Sequence, residues 1–143
     1  MKQEFIFSKT GVRNFAKEIL PKLATKGVLC LNGELGAGKT FFTSELIKLL
    51  MEDENLNITS PTFNIVNVYN TSNGKSIHHF DLYRLKNENE LENIGFFESL
   101  EEGICIIEWS NKFPDIEKKF LQNGIFIDIL SIDKNKRKFI VYV

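Results

Sequence analysis

The sequence lacks the features that mark secreted and membrane-spanning proteins. Its 143 residues include only two cysteines, Cys30 and Cys105, which are too few for a disulfide framework. No apolar run approaches the ~18 residues that a membrane-spanning helix needs. The first residues, MKQEFIFSKTGV, include a glutamate and no long apolar stretch, unlike a secretory signal peptide. We therefore expect a soluble cytoplasmic protein with no membrane partner.

The chain also lacks an excess of charge of either sign. Eighteen Lys and Arg residues oppose nineteen Asp and Glu residues, so the formal net charge is −1. A protein that coats nucleic acid normally has a clear basic excess, so we expect any contact with RNA to be local or shared with a partner protein. Aromatic residues, in contrast, make up 12% of the chain, enough for a sizeable core. The length fits a single domain over residues 1–143.

Hydrophobic patterns predict an α/β fold with a mixed β-sheet and antiparallel hairpins. Apolar residues at helical spacing predict an amphipathic helix that begins at Thr10 and has its last turn at Pro21. Asn73-Gly74 signals a hairpin turn, and the polar segment 87–100 predicts one or two short helices. The predicted strands occupy residues 4–8, 28–31, 63–69, 76–83, 104–107, 124–132 and 138–143.

A glycine-rich segment at residues 33–40, GELGAGKT, carries the strongest chemical signal. It matches the phosphate-loop (P-loop) pattern G-x-x-x-x-G-K-[ST] in full, and it lies between an apolar strand and an amphipathic helix, as the pattern requires. Because glycine is roughly 7% of residues, a chance match in a chain of this length arises about once in a few hundred. In such a loop, successive backbone N–H groups point inward and bind phosphate, and the N-terminus of the following helix adds positive potential. Lys39 is expected to reach the β- and γ-phosphates and Thr40 to bind Mg²⁺.

Two acidic residues follow predicted strands and are candidates to act beside the metal ion. Asp81 follows the segment SIHHF, and Glu108 follows the apolar strand ICII. Either carboxylate could hold Mg²⁺ or orient the attacking water in phosphate hydrolysis. An acidic residue at a strand end is often simply solvated, and Glu108, after a wholly apolar strand, is the stronger candidate.

Other classes of P-loop protein fit the sequence less well. A GTPase needs a guanine-reading N-K-x-D motif, but Asn111 and Asp115 are one residue too far apart and Pro114 interrupts the loop. A small-molecule kinase needs arginines in a lid, and only Arg84 and Arg137 follow the P-loop. The kinase stays as an alternative, as does a regulatory module whose nucleotide-bound state, rather than turnover, is the output.

Four segments in a fixed order carry a family resemblance. They are GELGAGKT, SPTFNIVNVY at residues 60–69, HFDLYRL at residues 79–85 and IIEW at residues 106–109. Together they closely resemble the TsaE family of bacterial ATPases, which support threonylcarbamoyladenosine formation in tRNA. The resemblance covers nearly the whole chain, and it implies a three-layer P-loop NTPase-like fold that binds ATP with Mg²⁺.

The resemblance also implies partners and a role. Members of this family act with TsaD and TsaB, which transfer the threonylcarbamoyl group to the adenosine beside the tRNA anticodon. ATP hydrolysis is expected to reset that complex between cycles. The protein is therefore expected to reach tRNA indirectly, through the complex.

The resemblance assigns roles to individual residues. The switch-like segment 60–62 places Thr62 at the γ-phosphate, and Trp109 is the family's aromatic after the glutamate. The sequence departs from the family at Val12 and Arg13, where a threonine is common, and at Ser110, where a proline is common. The residues expected to bind the nucleotide are Lys9, Thr10, Gly33, Leu35, Gly36, Ala37, Gly38, Lys39, Thr40 and Arg137. The catalytic set is Lys39, Thr62, Asp81 and Glu108, and the metal ligands are Thr40, Asp81 and Glu108.

The remaining candidates are interpreted as structural. His78 and His79 are adjacent in a predicted strand and point to opposite faces, so they do not form one metal site. The resemblance makes His79 a packing or orienting residue. Cys30 and Cys105 lie in predicted core strands and act as buried apolar fillers.

Overall fold

A computed structural model describes residues 1–142 and places seven strands of this range in one sheet. The sheet order is β1-β7-β6-β2-β5-β4-β3. The four central strands β6, β2, β5 and β4 run parallel, and the outer pairs are antiparallel, which confirms the predicted mixed sheet. The strands are β1 (Lys2–Phe7), β2 (Val28–Asn32), β3 (Val66–Asn70), β4 (Ser76–Asp81), β5 (Gly103–Glu108), β6 (Ile125–Ser131) and β7 (Arg137–Tyr142).

Helices cover both faces of the sheet and produce three layers, as expected. The long helices α1 (Lys9–Lys26) and α2 (Lys39–Met51) pack on one face. Three short helices contribute to the core on the other face, and they are α3 (Glu90–Asn93), α4 (Phe96–Glu102) and α5 (Pro114–Lys118). A 3-10 turn over Ser110–Lys112 precedes α5. No helix within residues 1–142 has the length and apolar character needed to span a membrane.

The prediction that α1 ends near Pro21 is wrong, because the helix continues to Lys26 with the proline inside it. A proline inside a helix removes one N–H donor and its ring crowds the carbonyl four residues earlier, so Pro21 disfavours the helix locally. Beyond it, the fully buried Leu23 packs in the core and holds the last turns in place. The helix ends instead at Gly27, which adopts a left-handed conformation (φ 83°) and donates its N–H to the Leu23 carbonyl at 2.8 Å.

The predicted hairpins are present with shorter strands. The first was expected over residues 63–69 and 76–83, but β3 begins only at Val66 and β4 ends at Asp81. Residue Ile65 just before β3 has a positive φ of 70°, so the preceding residues leave the sheet. The last predicted strand extended to Val143, which lies outside the described residues.

Five phenylalanines form the largest aromatic group of the core, which we call the phenylalanine cluster. Their ring centroids lie 5.0–5.9 Å apart in the contacting pairs. The cluster joins β1, α1, α2 and β7, and so fixes the start of α2 against the sheet. Its members are Phe5, Phe7, Phe15, Phe42 and Phe139.

The parallel central strands bring three chain segments to one edge of the sheet. Asp81, at the end of β4, pairs in register with Glu108, at the end of β5. Glu108 in turn pairs with Leu31 of β2, which leads directly into the P-loop. Crevices at the carboxyl ends of parallel strands are the usual ligand sites of open α/β sheets.

Candidate functional site

The P-loop connects β2 to α2 in a backbone shape that requires glycine. Gly33 has a φ of 154°, and a Cβ atom there would lie 2.3 Å from the Ile129 carbonyl oxygen of β6. Gly36 and Gly38 also have positive φ, and Gly38 caps the N-terminus of α2. The glycines therefore allow the loop to pass close to the sheet and to aim the first N–H groups of α2 at the space above it.

Lys39 lies within the loop and is buried, with only 5% of the residue exposed. Its Nζ donates to the carbonyls of Gly33 and Glu34, the latter at 2.8 Å, and lies 4.6 Å from the centre of the Trp109 ring. Burial lowers the pKa of Lys39, while the nearby carboxylates of Glu108, Asp81 and Glu34 act in the opposite direction. The ammonium group is thus held in a site rich in negative charge.

Glu108 is buried at the end of β5, with 2% of the residue exposed. Its Oε2 accepts a hydrogen bond from the Thr40 hydroxyl at 3.5 Å and another from His79 Nε2 at 2.5 Å. The first residues of α2 and the end of β5 therefore meet at a hydroxyl and a carboxylate. Both groups supply oxygen ligands of the type that Mg²⁺ prefers.

Asp81 lies in the next strand and contacts a different threonine. Its Oδ2 accepts a hydrogen bond from the Thr62 hydroxyl at 3.3 Å, and its Oδ1 accepts one from the Tyr83 N–H at 3.0 Å. Thr62 also shares a 2.7 Å hydrogen bond with the Ser60 hydroxyl. The two acids thus separate: Glu108 faces the P-loop, and Asp81 faces the segment at residues 60–62.

A cavity with a volume of about 200 Å³ adjoins the P-loop on the side of α1 and β7. Arg137 contributes to it and lies against the loop, because its Nε is 3.7 Å from the place of a Cβ atom at Gly38. Thr10, in contrast, is exposed on α1 outside the lining. The cavity is lined by Phe7, Ser8, Lys9, Val12, Gly38, Phe41, Lys134, Asn135, Arg137 and Phe139.

The side chain of Leu35 is not buried in the site. It lies in the P-loop with its side chain largely exposed, whereas Ala37, two residues later, is buried. Of the sequence-predicted set, the structure gathers Lys39, Thr40 and Glu108 most closely.

The sequence argument missed Asn32, which organises the loop behind Glu108. Its Nδ2 donates to the Ser110 hydroxyl at 2.9 Å and to Glu117 Oε2 at 3.1 Å, and its Oδ1 accepts the Asn111 N–H at 3.0 Å. These bonds fix the turn that carries Trp109, whose φ is 61°. The only sequence signal for this role was that Asn32 is the single polar residue at the end of the apolar segment VLCLN.

The cysteine interpretation is confirmed by the structure. Cys30 and Cys105 are both fully buried, on β2 and β5. Burial raises the pKa of each thiol to about 12. Both residues therefore behave as small apolar side chains.

Comparisons with known proteins agree with this arrangement. The family model described as threonylcarbamoyl adenosine biosynthesis protein TsaE matches residues 6–139. The TsaE protein of Rickettsia typhi is 40% identical over 131 residues, which cover 91% of this chain and 87% of that protein. The TsaE protein of Aquifex aeolicus is 37% identical over 142 residues, which cover 99% of this chain and 96% of that protein.

A solved structure is similar over the same extent. The crystal structure of Bacillus subtilis YdiB aligns with a TM-score of 0.62 and 25% identity, over 99% of this chain and 84% of that one. The α/β layers, the mixed sheet and the P-loop at its edge therefore have a counterpart in an experimental structure. From the family match over residues 6–139, and from relatives that are similar over nearly their full length, the chain belongs to the TsaE family.

Proposed function

We propose that this protein binds ATP with Mg²⁺ at the P-loop and hydrolyses it, as one domain over residues 1–143, in the cytoplasm. We further propose that this activity serves threonylcarbamoyladenosine formation in tRNA, together with TsaD and TsaB. The observation that carries the proposal is the meeting of a complete P-loop with a buried carboxylate: Thr40 and Glu108 lie 3.5 Å apart beside Lys39.

The P-loop supports phosphate binding in two ways. The N-terminus of the 13-residue helix α2 begins at the loop and supplies positive potential and N–H donors. Lys39 contributes the ammonium charge, and it is already held at the loop by the Gly33 and Glu34 carbonyls. Phosphate oxygens would replace those carbonyls as its acceptors.

The residues at the site fit Mg²⁺ that arrives with the nucleotide. Within residues 1–142, no three His, Cys, Asp or Glu side chains form a group that could hold a metal ion. Mg²⁺ is usually bound through one or two carboxylates together with phosphate oxygens and water. Thr40 and Glu108 supply the protein part of such a set, and the bound ion would neutralise phosphate charge.

Asp81 and Thr62 favour turnover over binding alone. Asp81 is buried yet accepts a hydrogen bond from the hydroxyl of Thr62, which belongs to a partly exposed segment that ends in a left-handed residue, Ile65. A carboxylate in this position can orient water, and a threonine in the adjoining loop can respond to the γ-phosphate. A protein that only binds nucleotide does not need an acid beside the γ-phosphate.

The near-zero net charge supports action through protein partners. A phosphate-dominated contact with RNA needs several cations that act together, and the formal net charge of this chain is −1. We therefore propose that hydrolysis resets the TsaD–TsaB complex and that tRNA is reached through that complex.

A reconstituted assay tests the proposal. ATP hydrolysis and threonylcarbamoyladenosine formation are measured with and without TsaD and TsaB, for the wild type, for Glu108→Ala and for Lys22→Ala, an exposed α1 residue that serves as control. We expect the wild type and Lys22→Ala to support both reactions and Glu108→Ala to support neither. Binding without turnover in every mixture would favour a regulatory module, and phosphate transfer to an added nucleoside would favour a kinase.

A further inference from the structure

His79 is a buried polar residue to which the proposed function assigns no role. It lies in β4 with no exposed surface, two residues before Asp81. Its Nε2 donates to Oε2 of Glu108 at 2.5 Å, and the side chains of both residues are almost fully shielded from water. Each is therefore the immediate polar neighbour of the other.

Packing alone does not account for a histidine at this position. Nδ1 of His79 is buried and has no hydrogen-bond partner among the described residues. A buried polar atom without a partner destabilises a fold, and an apolar ring would fill the same space without that cost. What the histidine adds over such a ring is the donor at Nε2.

The strand register directs that donor to Glu108. His79 pairs with Ile106 on β5, and Glu108 lies two residues further along the same strand. Residues two apart in a strand point to the same face, so His79 and Glu108 share the face that α2 covers. His78 points the other way, where its Nε2 contacts the Ser76 hydroxyl at 2.7 Å.

The contact continues from Glu108 to the P-loop. The same oxygen, Oε2, that accepts from His79 also accepts from the Thr40 hydroxyl at 3.5 Å. A carboxylate can rotate about its side-chain bonds, and a fixed donor on one oxygen selects one orientation. His79 is the buried group that supplies this fixed donor, because it is locked in β4.

We infer that His79 is a positioning residue: it holds the Glu108 carboxylate beside Thr40 and thereby sets how strongly Mg²⁺ strengthens nucleotide binding. The inference rests on the proposed function, since it assigns Glu108 to the metal. Loss of a residue that orients a metal ligand typically costs 10–100-fold in metal affinity or activity. We therefore expect replacement of His79 to weaken nucleotide binding in the presence of Mg²⁺ and to leave the metal-free affinity unchanged.

The test measures ADP affinity by calorimetry across a series of Mg²⁺ concentrations, with a parallel series in EDTA. We expect His79→Phe to require about 10-fold more Mg²⁺ than the wild type, with equal ADP affinity in EDTA. His79→Gln places an amide N–H near the position of Nε2 and should restore the wild-type Mg²⁺ requirement. His79→Asn is polar but too short, so it should behave as His79→Phe does.

The matched control is His78→Phe, which removes the neighbouring buried histidine from the opposite face of the same strand and should not change the Mg²⁺ requirement. If His79→Phe does not fold, the comparison of His79→Gln with His79→Asn decides the question by itself. In a Glu108→Ala background, His79→Phe should add no further loss, because the two residues act in series.

Three results would overturn the inference. They are an unchanged Mg²⁺ requirement in both His79→Phe and His79→Asn, an equal loss of affinity with and without Mg²⁺, and a further loss in the Glu108→Ala background. If both His79 variants keep the wild-type Mg²⁺ requirement while Glu108→Ala loses Mg²⁺-dependent ADP affinity, only the role of His79 is refuted. If the wild type and Glu108→Ala both bind ADP without regard to Mg²⁺, the metal site of the proposed function fails, and the inference fails with it.

Discussion

The phenylalanine cluster and the nucleotide site occupy the two sides of the start of α2, and they differ in how their residues are connected. Phe42 is fully buried and contacts the rings of Phe15 and Phe139 at 5.9 and 5.1 Å. Glu108 is almost as deeply buried, but among the described residues its side chain accepts only two side-chain hydrogen bonds, from Thr40 and His79. Burial is therefore shared by both regions, while dense mutual packing belongs to the cluster and specific polar pairs belong to the site.

The comparison predicts that the two regions separate stability from function. Packed apolar side chains stabilise the fold, because their removal loses the free energy of burial and leaves a cavity. Buried polar groups with few partners contribute little net stability and are retained for what they bind. A substitution in the cluster should thus lower the free energy of unfolding, and a substitution in the site should lower nucleotide affinity or turnover.

The largest effect is expected in the cluster. Phe42→Ala should lower the free energy of unfolding by about 3–5 kcal/mol, because it opens a cavity that the two neighbouring rings of Phe15 and Phe139 cannot fill. Urea denaturation measures this change. Phe63→Ala is the matched control, since Phe63 is 82% exposed and its loss should change stability by less than about 0.5 kcal/mol. Equal losses in both variants would contradict the comparison.

The next effect separates the two acids of the site. Glu108→Ala should weaken Mg²⁺-dependent nucleotide binding at least as much as the roughly 10-fold typical for residues that only orient a metal ligand. Asp81→Ala should largely spare binding and lower ATP turnover by about 10²-fold or more, as expected for loss of a group that orients or deprotonates water. Calorimetry and single-turnover hydrolysis measure the two quantities.

The reverse order would exchange the two roles. If Asp81→Ala weakens Mg²⁺-dependent binding and Glu108→Ala lowers only turnover, then Asp81 is the metal ligand. Denaturation curves for both variants provide the control, because both should keep a cooperative transition close to that of the wild type.

The sequence predicts local elements of the fold and the site, but not the contacts between distant residues. The P-loop could be identified from residues 33–40 alone, because its chemistry depends on local backbone shape. The strands could be predicted from apolar runs, although Pro21 misled the prediction of the end of α1, where tertiary packing of Leu23 decides. The partner of each acid could not be predicted, since it depends on the register of β4 against β5 and on where the segment 60–62 lies.

A smaller effect is expected at Thr62, which connects the segment at residues 60–62 to Asp81. Thr62→Ala should leave ADP affinity nearly unchanged and reduce ATP-dependent association with TsaD and TsaB, because ATP would order residues 60–63 around the γ-phosphate. A pull-down in ATP, in ADP and without nucleotide measures this. Thr71→Ala, in the hairpin turn, is the control. Association of the wild type that is equal in all three states would contradict the coupling.

The smallest effect concerns the cysteines, which lie in the core. Burial raises the pKa of Cys30 and Cys105 to about 12 from 9.0. Thiolate is the reactive form, so at pH 8 neither residue should react with a thiol reagent until the chain unfolds. Above pH 9 the unfolded chain ionises first, and stability should fall as the pH rises toward 12. Rapid labelling of the native protein at pH 8 would show that these core strands open locally.

The central claim is that the P-loop binds Mg-ATP, and the affinity of Lys39→Ala tests it most directly. Lys39 is the only cation in the segment GELGAGKT, and its Nζ is held among carbonyls that phosphate oxygens would replace. Calorimetry should show Mg-ATP binding to the wild type and to Lys22→Ala, and no measurable binding to a folded Lys39→Ala. Undiminished Mg-ATP affinity in Lys39→Ala would contradict the account.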